Sequence, residues 1–317
     1  MHIAASAIAA VLPMFTYLLI IWWMDRYERE PFSFVLKNYL WGGIGAIIFA
    51  IAWSTIIYTF ISLFIYDKTE LETIETIAVA PFVEEITKGI FLVFIIRNKN
   101  LDNITDGIVY GGAIGLGFGM TENFLYFITY GNTLENWITI VVIRTLFSAV
   151  MHCVATASFG ALLAYSKYKK EPARILFIFF GLLVAILIHF AWNFSVSFKS
   201  TTLLGFLFMI ITIVIFIITF SISVISEKKI IYNELLSEAE NGLIPFAHLG
   251  ILNSSKRNKF GWVDESIRKS YINAATTLAF RKKQLRNANG RNKFFYEEDI
   301  TYYRNFIQFL LSNKSIK

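Results

Sequence analysis

Residues 80–88 read Ala-Pro-Phe-Val-Glu-Glu-Ile-Thr-Lys, which sets two adjacent carboxylates, Glu84 and Glu85, and the ammonium of Lys88 inside a hydrophobic run. Ionisable side chains at membrane depth are costly, and their default reading is that they face a polar cavity and mark function. Three other apolar segments each carry one group suited to the same cavity: Glu122, His152 and His189. The expected fold is therefore all-α: a polytopic membrane helix bundle organised around these groups.

Composition supports that class. Of the 317 residues 56% are hydrophobic and only 16% charged, whereas a soluble domain is nearer to about 45–50% apolar. Cys153 is the only cysteine, which excludes an internal disulfide framework and a cysteine-rich metal site; any metal must be held by Glu and His. In its apolar run Cys153 reads as a small buried hydrophobe. The net charge of +6 belongs to the tail: residues 227–317 sum to +7 and residues 1–226 to −1. A basic segment just after a last transmembrane helix fits a cytoplasmic position near anionic lipid better than nucleic-acid binding.

Working outward from residues 80–88, seven segments are long enough for the roughly 20 residues that a hydrocarbon core demands. They lie at 3–24, within 34–66, 76–96, 107–130, within 137–165, 175–195 and 203–225. No Lys or Arg precedes the first, and its run exceeds the usual ~7–15 apolar residues of a signal peptide, so it reads as a retained helix. Alternating the sides gathers residues 25–33, 97–106, 166–174 and the tail on the face that holds nearly all loop Lys and Arg. By the positive-inside rule that face is cytoplasmic, which leaves the N-terminus outside and the C-terminus inside. The expected division is a transmembrane domain over 1–226 and a small helical extension over 227–317. In the extension, 233–250 reads as irregular, while 263–286 and 297–311 read as helices; Asp264 and Glu265 open the first, and Lys282 and Lys283 close it, as the helix dipole prefers.

This arrangement allows a depth test. Glu84 and Glu85 come about 8 residues after the outer end of the third span and Glu122 about 8 before the outer end of the fourth, roughly 12 Å deep at the helical rise. His189 falls at a similar depth in the sixth, and His152 matches if the fifth helix enters the membrane near Arg144. Unrelated polar residues have no reason to share a level. The fourth span also carries Gly107, Gly111, Gly115 and Gly119, a small-residue stripe that reads as close helix packing.

Glu84 and Lys88 share a helical face at i, i+4, while Glu85 is turned by about 100°. A carboxylate in a wet cavity, with a neighbouring charge to set its proton affinity, suits general-base chemistry. A buried Glu/Lys pair that fixes packing is the bland alternative. His189 and Asn193 also share a face, where both can donate to an oxyanion. Read from residues alone, the set is compatible with a hydrolase, with a proton- or cation-coupled transporter or channel, and with a sensor or scaffold whose basic tail acts.

At this point the chain resembles the PrsW family of bacterial intramembrane proteases, itself similar in motifs to the group containing the CAAX prenyl endopeptidases and bacteriocin-processing membrane proteins. The resemblance rests on residues 25–31 (Asp-Arg-Tyr-Glu-Arg-Glu-Pro), 81–88, 106–111 (Asp-Gly-Ile-Val-Tyr-Gly), 117–123 (Gly-Phe-Gly-Met-Thr-Glu-Asn), His152 and 189–193 (His-Phe-Ala-Trp-Asn). It covers roughly residues 1–225, and residues 274–280 resemble the extension of longer members. It implies a protease in the bacterial cell membrane acting on a single-pass membrane protein, in the best-known members an anti-sigma factor; the bilayer is a further partner, and the tail, read from its own composition, is expected to bind a cytoplasmic regulator. In the wider group the second motif usually ends in His, where this chain has Glu122. Two mechanisms fit. Glu122, His152 and His189 bind Zn²⁺ while Glu84 or Glu85 takes the proton of water; or, without metal, Glu84 and His152 activate water and His189 with Asn193 stabilises the oxyanion. The metal version is preferred, because a second carboxylate in place of His is a good hard ligand.

Overall fold

A computed structural model describes residues 3–96, 101, 103–167, 169–288 and 291–312; the charged turn 97–99 lies outside them. Among the described residues there is no strand. Seven helices come first: α1 Ile3–Met24, α2 Phe32–Ile61, α3 over residues 68–95, α4 Ile104–Tyr130, α5 Leu134–Ser166, α6 Glu171–Ser197 and α7 Thr202–Glu240. They are followed by α8 Phe246–Leu252, α9 Glu265–Asn287 and α10 Arg291–Ser312. The protein is an all-α, multi-pass membrane bundle. Among the described residues five helices, α1, α2, α5, α6 and α7, are long and apolar enough to cross a membrane by length and composition alone. The two others that the sequence reading counts are α3 and α4, which carry the carboxylates and the glycines.

α4 owes its lower hydropathy to its place. From Thr105 to Gly119 every residue is buried, so it packs on all sides against protein and needs small residues more than greasy ones. A Cβ on Gly115 would stand 2.2 Å from the carbonyl oxygen of His152 on α5, and one on Gly117 1.9 Å from that of Tyr39 on α2. The backbones of three helices thus meet at glycine, which is the packing role that the stripe suggests. An Asn103/Asp106 capping box starts α4, satisfying two orphan amides.

The loop between α1 and α2 is tied down by its own motif. Glu30 N–H donates to Asp25 Oδ2 at 3.2 Å, Trp22 Nε1 donates to the Glu30 carbonyl at 2.8 Å, and the Tyr110 hydroxyl of α4 donates to Glu30 Oε2. Residues 67–75, read from sequence as a loop, are mostly helical: Asp67 accepts from Glu70 N–H at 2.9 Å and starts α3 two turns early. Three helices contain a wide π-type turn, at Trp41–Ala46 in α2, Glu75–Val79 in α3 and Arg144–Ser148 in α5. Such insertions re-aim the following turn and gather at functional sites. The last two precede Glu84 and His152 by little more than a turn.

The chain separates into two compact units. The first holds residues 1–25 and 30–220; the second holds 221–317 together with Arg26–Arg29. In the second unit Leu235, Tyr271, Ala275, Leu278 and Ile307 form a buried core. Residues 233–250, read from sequence as irregular, are irregular only at 241–245: α7 continues to Glu240, where Leu235 and Ala239 seat in that core, and α8 starts at Phe246. α9 begins as the dipole argument expects, with Asp264 capping Ser266 N–H at 2.8 Å.

Candidate active site

Six ionisable side chains from four helices converge: Glu84, Glu85 and Lys88 of α3, Glu122 of α4, His152 of α5 and His189 of α6. Lys88 is fully buried, with Nζ 2.8 Å from Glu85 Oε1, 3.3 Å from Glu84 Oε2 and 2.8 Å from His152 Nδ1, above the ring of Phe118 at 3.9 Å. The two imidazoles meet edge to face, 4.7 Å between centroids.

Each imidazole is held by a carboxylate that is itself held. His152 Nε2 is 2.6 Å from Glu122 Oε2, and the same oxygen lies 2.8 Å from Arg144 Nη2. Arg144 is fixed in turn by Asn123 Oδ1 at 3.0 Å and by stacking on Tyr126 at 3.6 Å. His189 Nδ1 is 3.0 Å from Glu85 Oε1, and Thr156 Oγ1 donates to the other Glu85 oxygen at 3.0 Å. The remaining nitrogens face the middle: His152 Nδ1 towards Lys88, and His189 Nε2 towards Glu84 Oε2 at 3.9 Å. Carboxylate support of one ring nitrogen fixes the orientation of the other, as in histidines that ligate metal.

Asn193 stands apart. Its Nδ2 donates to the Thr76 carbonyl at 2.9 Å, pinning α6 to the wide turn of α3. Arg144 and Thr156 enter the site without having been singled out for it. Arg144 had a signal, a lone guanidinium inside an apolar span, while Thr156 had none, since threonine is unremarkable in such a helix.

Glu84, His152 and His189 each offer one donor atom, all within 4.8 Å of one another. One carboxylate and two imidazoles suit a divalent transition metal. Charge agrees: three carboxylates gather around two fixed cations, Lys88 and Arg144, so the cluster has room for one more positive charge. The converging carboxylate is Glu84, where the sequence reading assigned Glu122 to the metal. A cavity of about 300 Å³ reaches Glu84 and Glu122, lined also by Ser54, Thr55 and Tyr58 of α2 and Glu75 of α3. Glu85 is 1% exposed and does not line it.

Relatives share this part of the chain. Protease PrsW of Bacillus subtilis (strain 168) is 25% identical over 196 residues, 60% of this chain and 81% of the relative. Protease PrsW of Oceanobacillus iheyensis is 29% identical over 221 residues, 67% of this chain and 91% of the relative, and that of Shouchella clausii is 27% identical over 193 residues, 61% and 82%. No solved structure matches. Residues 30–220, which include all six converging side chains, match the family described as PrsW family intramembrane metalloprotease. With more than half of its length in that match, the chain belongs to the PrsW family of intramembrane proteases.

Proposed function

We propose that the protein hydrolyses a peptide bond of a single-pass membrane protein, of the anti-sigma-factor-like class that the family resemblance implies, at a zinc site held by Glu84, His152 and His189. The observation that carries this reading is the convergence of those three donors beside a cavity of about 300 Å³. Zinc held by such a set would supply Lewis-acid polarisation of a carbonyl and a lowered water pKa. The chain's own residues do the rest. Glu122, held through Oε2 by His152 and Arg144, lines the cavity and is the carboxylate that would receive the proton of a water there. Arg144 holds Glu122 in place, and Glu85 with Thr156 aligns His189. Relative to the sequence reading, Glu84 and Glu122 exchange roles.

One observation favours the metal-free reading. The Lys88 ammonium already stands among the donors, 2.8 Å from His152 Nδ1 and 3.3 Å from Glu84, so it can serve as the fixed cation while Glu84 activates water. A metal there requires Lys88 to withdraw towards Glu85. Basic residues in the turn 25–31, in the turn 167–170 and in the tail support a cytoplasmic C-terminus and an outer N-terminus in the bacterial cell membrane.

Elemental analysis of the detergent-purified protein separates the readings. Close to one zinc per chain, lost in a Glu84→Gln, His152→Ala, His189→Ala variant, supports the metallohydrolase. An active preparation without metal transfers the chemistry to Glu84 and His152.

A further inference from the structure

The second unit contains a cavity that the protease reading does not use. It has a volume of about 590 Å³ and is lined by Arg26 and Arg29 from the α1–α2 turn, by Arg257, and by Arg268 and Lys269 of α9, against the single acid Glu28. Its size is that of a small-molecule site, about 300–1,000 Å³. Concavities lined by one sign of charge focus the field and concentrate counter-ions. Thr276, Thr277 and Asn273 add hydroxyl and amide donors to the same wall.

The cavity is built by a buried residue. Arg257 is 7% exposed; it donates to the carbonyls of Arg26 and Tyr27 and to Thr276 Oγ1, and stacks over Tyr27 at 5.0 Å. Those contacts hold residues 26–29 in the second unit, although they are the turn between two membrane-spanning helices. Arg26, Arg29 and Lys269 are exposed. Arg268 pairs with Glu265 at 2.7 Å, whereas Lys269 has no ion pair among the described residues. A planar guanidinium binds phosphate through two parallel hydrogen bonds, and a lysine adds a mobile point charge.

We infer that this cavity binds a phosphate-bearing anion, taken either from the headgroup of an anionic lipid or from a soluble phosphorylated compound. Residues 26–29 of the lining join α1 to α2, and the turn between two spanning helices belongs to the headgroup boundary of a bilayer; a soluble ligand would use the same donors. The site lies outside the residues of the peptidase cluster and stands or falls independently of the zinc assignment.

The test uses the full-length protein in neutral detergent and measures binding calorimetrically with pyrophosphate, dioctanoyl phosphatidylglycerol and dioctanoyl phosphatidylcholine. Saturable binding is expected for at least one anionic probe and not for the zwitterionic lipid. Pyrophosphate alone points to a soluble ligand, and phosphatidylglycerol alone to a headgroup. An Arg29→Gln, Lys269→Gln variant should weaken binding by about tenfold or more, as loss of two charge-assisted contacts implies, with an unchanged melting temperature without ligand. A Lys228→Gln, Lys229→Gln variant removes the same charge away from the cavity and should bind as the parent does. The inference is overturned if neither anion saturates, if the zwitterionic lipid binds as well, or if both variants behave alike.

Discussion

Both units bury carboxylates beside cations, and the two networks are balanced differently. In the second unit Glu238, 2% exposed, receives Lys282 Nζ at 2.6 Å and two Arg304 donors at 2.7 and 3.0 Å, and Glu234 receives Arg286. Glu234 and Glu238 are each met by at least one full cation, and the helices α7, α9 and α10 are joined by these contacts. In the membrane unit Glu84, Glu85 and Glu122 have Lys88 and Arg144 between them, and two imidazoles complete the set. A matched network holds a fold together. A network short of one positive charge, next to a cavity, is arranged to take up a cation or a proton.

That contrast can be broken first at Glu84. Glu84→Gln removes the surplus charge, and cleavage of a membrane-anchored reporter should fall by about 10²–10⁴-fold, the range for loss of a group that handles the proton or the metal, while thermal stability holds or rises. Lower stability with intact cleavage would make the membrane cluster a structural network like the other.

Lys88→Met asks the converse. It leaves Glu85 buried and short of its cation, a change that typically costs about 3–5 kcal/mol, so the melting temperature and expression should both drop. An additional Glu85→Gln substitution should restore much of that stability without restoring cleavage.

Gly115→Val sharpens the comparison without touching any charge. The added Cβ meets the His152 carbonyl at 2.2 Å, and forcing α4 from α5 should cost about 1–3 kcal/mol. Cleavage should fall further than stability alone explains, because His152 moves with the backbone. Equal loss of both would show that alignment of this helix pair does not limit the reaction.

The smallest effect is expected in the second unit. Arg304 is partly exposed, so Arg304→Ala should cost about 1 kcal/mol or less after solvent screening, with cleavage unchanged. Burial raises the Glu238 carboxyl, but hydrogen bonds and charge from Arg304 and Lys282 bring it below its ordinary 4.5. A carboxyl depressed in the folded state contributes stability that is present above 4.5 and is lost as pH falls through the lowered folded value. Hydrogen exchange in α7, α9 and α10 should therefore quicken below that pH, and Arg304→Ala should flatten the acid limb.

The sequence by itself determined the class of fold and pointed to the six ionisable side chains that converge, though not to Arg144 and Thr156 beside them. Apolar runs of spanning length, the stripe Gly107, Gly111, Gly115 and Gly119, and the charged groups inside the runs are all periodic or compositional, and such signals survive without coordinates. The ground for expecting Glu84, Glu122, His152 and His189 to converge was the constant helical rise, by which residues equally far from helix ends fall at one level. Three matters were decided only by tertiary structure. Glu84, not Glu122, stands in the converging donor set, because the Glu122 carboxylate meets His152 Nε2 and Arg144, two partners on another helix that spacing along α4 does not reveal. Asn193, on the same face as His189, bonds the Thr76 carbonyl instead, since a shared face does not say which partner is near. Residues 26–29, a charged turn by sequence, became the wall of a cavity whose other lining residues start at Arg257, far along the chain. Local patterns report what a segment can do; contacts between distant segments depend on the packing of the whole, and only folding brings them together.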